Sequence, residues 1–158
     1  MKKTSDNSGY KKLKKDISNN EPANMYLFWG EESYLREYYL DSLKKLVLPR
    51  GLEEFNYKRF AGKNVDPALL EGAIDTLPVF SERSIVEVRD FDFYKAAGDK
   101  RDKIAEIVAD LPDYCILVFV FTDPSFKPDG RTKVHTAIKN KGVVVQFEKQ
   151  EQSDLARI

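Results

Sequence analysis

Gly30, Glu31 and Glu32 stand where a nucleotide would be held, between an apolar run from Met25 to Trp29 and a helical pattern that begins near Leu35. Strand, glycine turn and helix form the scaffold whose backbone amides cradle phosphate. A P-loop adds several glycines, then a lysine and a serine or threonine for the phosphate and its magnesium. Here the glycine is followed by two glutamates. Carboxylates at a helix N-terminus complement its partial positive charge and repel an incoming triphosphate. As an acid and base pair they are poorly placed, because adjacent residues at a helix start seldom converge on one atom. The pattern predicts a degenerate nucleotide site with the scaffold retained and the chemistry gone. No catalytic residue is expected.

Other candidates fall to plainer readings. Asp123, after the apolar run "YCILVFVF", and Asp90, after "SIVEV", occupy positions where a magnesium-binding acid would follow a strand. Without a phosphate-binding lysine they have nothing to serve, and Pro124 behind Asp123 marks a turn cap instead. One cysteine, Cys115, and one histidine, His135, exclude a disulfide framework and a Cys/His metal cluster. Cys115 reads as a buried thiol and His135 as a surface or half-buried side chain. No metal and no cofactor are expected. The segment "KPDGRTKVHTAIKNK" holds five basic residues to one acidic. Lys133, Lys139 and Lys141 could face a phosphate backbone. With no aromatics interleaved, they read more simply as the solvated face of a helix.

These residues must be positioned by a scaffold of modest size. At 158 residues and 42% hydrophobic content, the chain is expected to fold as one domain with a real core. Lys plus Arg equal Asp plus Glu at 26 each, so no global field draws it to nucleic acid or membrane. No apolar run approaches the roughly 20 residues of a membrane helix, and the lysine-rich start has no secretory core, so a cytoplasmic protein is expected. Residues 1–9 read as a disordered extension, with Tyr10, Leu13 and Ile17 spaced as a short helix face.

Beyond that, strands and helices alternate. Strands are expected at 25–29, in "FNYKRF" (Phe55 to Phe60), "SIVEVRDF", "YCILVFVF" and "VVVQF". The helices between them cover 33–47, with Tyr38, Tyr39, Leu43 and Leu46 on its apolar face, then a stretch capped by Asp66 and Pro67. That second helix carries Leu69, Leu70, Ala73, Ile74 and Leu77 on one face and stops at Pro78. Two more cover Lys100 to Leu111 and Gly130 to Asn140, the last stopped by Gly142. The order implies a three-layer α/β sandwich on a largely parallel five-stranded sheet. Gly30, Arg89, Asp90, Thr122 and Asp123 should gather at the carboxyl ends of its strands, where such sheets bind ligands. Val79 and Phe80, between Pro78 and Ser84, belong to neither periodicity. They could tuck under the preceding helix, or project as an exposed apolar pair that fits a partner's pocket.

The ordered set "YKKLKKDI", "MYLFWGEESYL", "FNYKRFAGKNVD", "DTLPVFSERSIVEVRDF", "DYCILVFVFTD" and "GRTKVHTAIKNKG" resembles the delta subunit of the bacterial DNA polymerase III clamp loader. The resemblance implies an AAA+-like fold that has lost nucleotide binding and serves to bind and open the ring-shaped sliding clamp. It implies that an apolar pair inserts into a clamp pocket, here Val79 and Phe80, with Leu77 beside them and valine where leucine is commoner. Residues 10–147 would be the clamp-binding domain. Residues 148–158 would begin a connector to a lid and collar through which other clamp-loader subunits are contacted, with DNA met only in the assembled complex. The competing class is a divergent nucleotide-dependent enzyme or nucleic-acid-binding module on the same P-loop-like scaffold.

Overall fold

Met25 and Leu27 point to one side of a sheet and Tyr26 and Phe28 to the other, as the two-residue period of a strand requires. The same alternation sorts Cys115, Leu117 and Phe119 from Ile116, Val118 and Val120. The computed structural model, which describes residues 7–149, assembles β1 (Met25–Trp29), β2 (Tyr57–Ala61), β3 (Ser84–Arg89), β4 (Cys115–Val120) and β5 (Val143–Gln146) into one sheet. Their order is β2-β3-β4-β1-β5, and every neighbouring pair is parallel. All six residues of β4 are buried, so this strand carries no polar face. Truncating Phe119 there would remove about 3–5 kcal/mol of stability.

Helices α1 (Ser8–Ser18) and α2 (Ser33–Val47) cover one face of the sheet through Leu13, Leu35, Tyr39, Leu40 and Leu43. The other face is covered by α4 (Pro67–Asp75), α5 (Gly98–Ala109) and α6 (Lys133–Lys141), through Leu70, Ile74, Ile104, Ile107, Val134 and Ile138. A single-turn helix, α3 (Glu53–Asn56), runs directly into β2. The three-layer α/β architecture is therefore the expected one, with a sheet that is wholly parallel. Among the described residues no helix is long and apolar enough to cross a membrane.

Several local expectations differ. Helix α1 begins at Ser8 rather than near Tyr10, because Gly9 lets it press on the outer strand: a Cβ there would lie 1.9 Å from the Val144 carbonyl oxygen. Phe55 and Asn56 finish α3 instead of opening β2, and the Phe55 ring is exposed. On α4 only Leu70 and Ile74 are buried; Leu69 turns to solvent, and Leu77 lies beyond the helix end. That helix packs on α5 and β4, and the side it turns to them is narrow enough for Leu70 and Ile74 to fill. On α2, Tyr38 faces outward and stacks on Tyr34, while Leu35 and Leu40 are buried in the apolar layer. Asp66 caps α4 as expected, its side chain accepting the Ala68 N–H at 2.9 Å. Gly142 ends α6 and also permits a close approach, since a Cβ there would lie 1.9 Å from the Met25 carbonyl oxygen. Positions 1–6 of the expected extension and 150–158 of the expected connector lie outside the described residues.

Candidate functional site

Two places carry the residues singled out for the nucleotide and partner sites: the turn after β1 and the loop between α4 and β3. At the first, Gly30 adopts a φ of +121°, open to glycine, and a Cβ would lie 2.4 Å from the Phe147 carbonyl oxygen. The Phe147 N–H donates to the Trp29 carbonyl at 2.7 Å, and its own carbonyl accepts the Glu32 N–H at 3.0 Å. An amide that a phosphate would claim at the start of α2 is thus already used. The Phe147 ring is buried edge-on against Phe28, with centroids 5.0 Å apart, and stacks on Tyr39. Glu32 is the cap residue of α2 without a side-chain hydrogen bond to the helix, and Glu31 is exposed. Their contribution is charge alone.

The other strand-end residues are partnered too. Asp90, with a φ of +55°, accepts the Thr122 N–H at 2.8 Å and its hydroxyl at 2.7 Å. Asp123 accepts the N–H and hydroxyl of Ser125, which hold its carboxyl below the ordinary range. This is the expected turn cap. Arg89 turns toward α2, where it pairs with Glu37, and toward Glu87. Of the five residues expected at the carboxyl ends, Asp90 and Thr122 meet directly. Gly30 meets Phe147 instead.

Sequence inspection passed over Glu87. Its side chain is fully buried in β3, yet it reaches the Tyr57 hydroxyl at 2.5 Å, Arg89 at 2.5 Å, Lys44 at 3.1 Å and Arg59 at 3.4 Å. Burial by itself would raise its carboxyl; the Tyr57 hydroxyl, Arg89 and Lys44 outweigh that and hold it below the ordinary value. A carboxylate in an apolar alternation is the one signal that could have found it.

Cys115 is buried, and burial pushes its thiol up to about 11. His135 Nδ1 lies 2.8 Å from the Tyr94 hydroxyl, and burial followed by the Lys139 charge lowers its pKa. Lys133 and Lys139 are exposed on α6 and Lys141 is half-buried. Six positions apart on a helix, Lys133 and Lys139 point about 120° away from one another, so the three make no single basic stripe.

The loop after α4 is built differently. Leu77 is 69% exposed, Val79 38% and Phe80 88%, the last at a φ of +50°. Of the two arrangements open from the sequence, the pair projects rather than tucking under the helix. Hydrogen bonds hold the loop along its length. The Tyr114 hydroxyl donates to the Asp75 carbonyl at 2.7 Å, and the Ser81 hydroxyl donates to the Arg83 carbonyl at 2.9 Å. Between them the buried Asn56 side chain accepts the Val79 N–H at 2.6 Å and donates to the Val79 carbonyl at 2.9 Å. Asn56 carries no sequence signal, because its partner lies on another element. The result is an apolar ring held out in water, next to a residue whose backbone N–H and carbonyl are both held by Asn56.

A family model for the DNA polymerase III delta subunit matches residues 26–148. The DNA polymerase III subunit delta of Bacillus subtilis is 25% identical over 139 residues, covering 84% of this chain and 39% of that protein. In fold, the B. subtilis DNA clamp loader delta protein superposes with a TM-score of 0.78 at 18% identity, over 92% of this chain and 44% of that one. A DNA polymerase III gamma subunit-related protein of Thermotoga maritima superposes with a TM-score of 0.60 at 17% identity, over 92% and 49%. The chain spans about two fifths of the length of the curated relative it matches.

Proposed function

We propose that this chain, which belongs to the DNA polymerase III delta subunit family, is a clamp-binding module whose Phe80 and Val79 enter an apolar pocket on the sliding clamp, with Leu77 at the rim. The observation that carries the reading is a phenylalanine 88% exposed on a loop whose backbone is held by side chains on either side. An isolated, preorganised aromatic ring offers a partner full burial at little ordering cost. The module acts by binding, not by turning over nucleotide: the turn after β1 supplies neither a lysine nor a free Glu32 amide for phosphate. Residues 10–147 form the clamp-binding domain, acting in the cytoplasm. Contacts to other clamp-loader subunits lie outside this domain, and DNA is met only in the assembled complex.

The test is binding of the sliding clamp by wild type and Phe80→Ala, beside thermal unfolding of both. The expected loss is about 2–4 kcal/mol, on the order of 30-fold to 1,000-fold in affinity, with unfolding little changed because the ring is exposed. A folded Phe80→Ala chain that binds the clamp at wild-type strength would sink the proposal. Calorimetry with magnesium-ATP separates the nucleotide-dependent alternative. No stoichiometric binding is expected, and replacing Glu31 and Glu32 with glutamine should not restore it, because the Glu32 N–H stays engaged by Phe147.

A further inference from the structure

We propose that Asn56 is a positioning residue for the clamp-contacting loop, an inference that rests on the clamp reading above. Asn56 is 1% exposed, and its carboxamide meets both backbone groups of one residue: Oδ1 accepts the Val79 N–H at 2.6 Å and Nδ2 donates to the Val79 carbonyl at 2.9 Å. A second donation, to the Leu52 carbonyl at 3.4 Å, ties the same amide back to its own helical turn. The side chain therefore plays the part of a neighbouring strand for a single loop residue. Only asparagine supplies a donor and an acceptor at this reach. Aspartate would lose the donor and set a charge against the Val79 carbonyl, glutamine is one methylene too long, and alanine offers neither group.

The consequence falls on the next residue. Phe80 sits at a φ of +50°, a conformation that a side chain with a Cβ rarely adopts unless its surroundings impose it. Asn56 fixes the peptide groups before it, and the Ser81 hydroxyl closes a turn after it with the Arg83 N–H at 3.3 Å and carbonyl at 2.9 Å. Because α3 leads straight into β2, and Tyr57 pairs with Ile85 of β3, the clamp on Val79 is rooted in the sheet itself. Without Asn56 the loop would have to be ordered at the moment of docking, and fixing the backbone of one to two residues costs about 10-fold or more in affinity.

The experiment measures clamp binding for wild type, Asn56→Ala, Asn56→Asp, Phe80→Ala and the Asn56→Ala/Phe80→Ala double variant, with circular dichroism confirming the fold of each. Amide hydrogen exchange at Val79 is followed in the free wild-type chain. The expected results are a protected Val79 amide, an affinity loss of about 10-fold in the folded Asn56 variants, and little further loss on adding Asn56→Ala to Phe80→Ala. That last outcome is the signature of positioning, since a general loss of stability would add in full. Wild-type affinity in a folded Asn56 variant, full additivity, or a Val79 amide that exchanges at the unstructured rate overturns the inference. If neither Asn56 variant folds, the exchange rate in wild type decides it. Wild-type binding by Phe80→Ala instead removes the clamp reading itself, so the two failures are told apart.

Discussion

Phe80 is unfavourable to the free chain on two counts: its ring lies in water, and its backbone occupies the left-handed region. The two penalties separate by substitution. Phe80→Gly and Phe80→Ala both remove the ring, but only glycine accepts a φ of +50° without strain. Phe80→Gly should therefore be more stable than Phe80→Ala by about 1 kcal/mol in urea denaturation, while both lose the clamp. An alanine variant at least as stable as the glycine one would mean that the loop relaxes out of this conformation. Val79, less exposed and smaller, should lose less affinity on truncation than Phe80, since fewer atoms are desolvated.

Between elements, the Glu87 cluster joins α2, β2 and β3 through one buried carboxylate. Its folded pKa lies below the ordinary value of 4.5, so the charged network contributes stability above that pH. The contribution is lost as pH falls through the folded value. Glu87→Gln should lower stability at neutral pH and flatten the acid limb of a pH series of denaturant unfolding from about pH 4.5 downward. Parallel acid limbs for the two proteins would contradict the cluster's role. At the opposite edge, α1 is seated on β5 by the bare Cα of Gly9, since a Cβ would meet the Val144 carbonyl oxygen at 1.9 Å. Gly9→Ala should cost about 1–3 kcal/mol by forcing the two elements apart, and an unchanged midpoint in denaturant would show that the helix can shift freely.

At the scale of the whole molecule, positive and negative charges balance at 26 each, and the basic excess of residues 127–141 is local. With Lys133 and Lys139 splayed around α6, changing Lys133, Lys139 and Lys141 to glutamine should leave clamp binding intact and move stability by no more than about 0.5 kcal/mol. A steep salt dependence of duplex DNA binding that these changes abolish would favour the nucleic-acid reading instead. An 88% exposed Phe80 on a balanced surface suits a partner recognised by shape and apolar burial rather than by long-range field.

Signals that act along the chain were legible in the sequence by itself. The continuous apolar run of β4, the Asp66-Pro67 start of α4, the Gly142 stop of α6 and the missing lysine after Gly30 each depend on neighbours a few positions away. Together they determined the alternation of strands and helices. Burial on α4 and α2 was only half legible, because helical spacing places apolar residues on a face without saying how wide the opposing surface is. Leu69 and Tyr38 fall outside the covered stripe for that reason. Tertiary structure alone decided that Phe147 engages the Glu32 amide, that Glu87 is ringed by Tyr57, Lys44 and two arginines, and that Asn56 grips Val79. Each joins groups on separate elements, and a hydrogen bond depends on distance and angle in space. Those are set only once the packed sheet has brought the elements together.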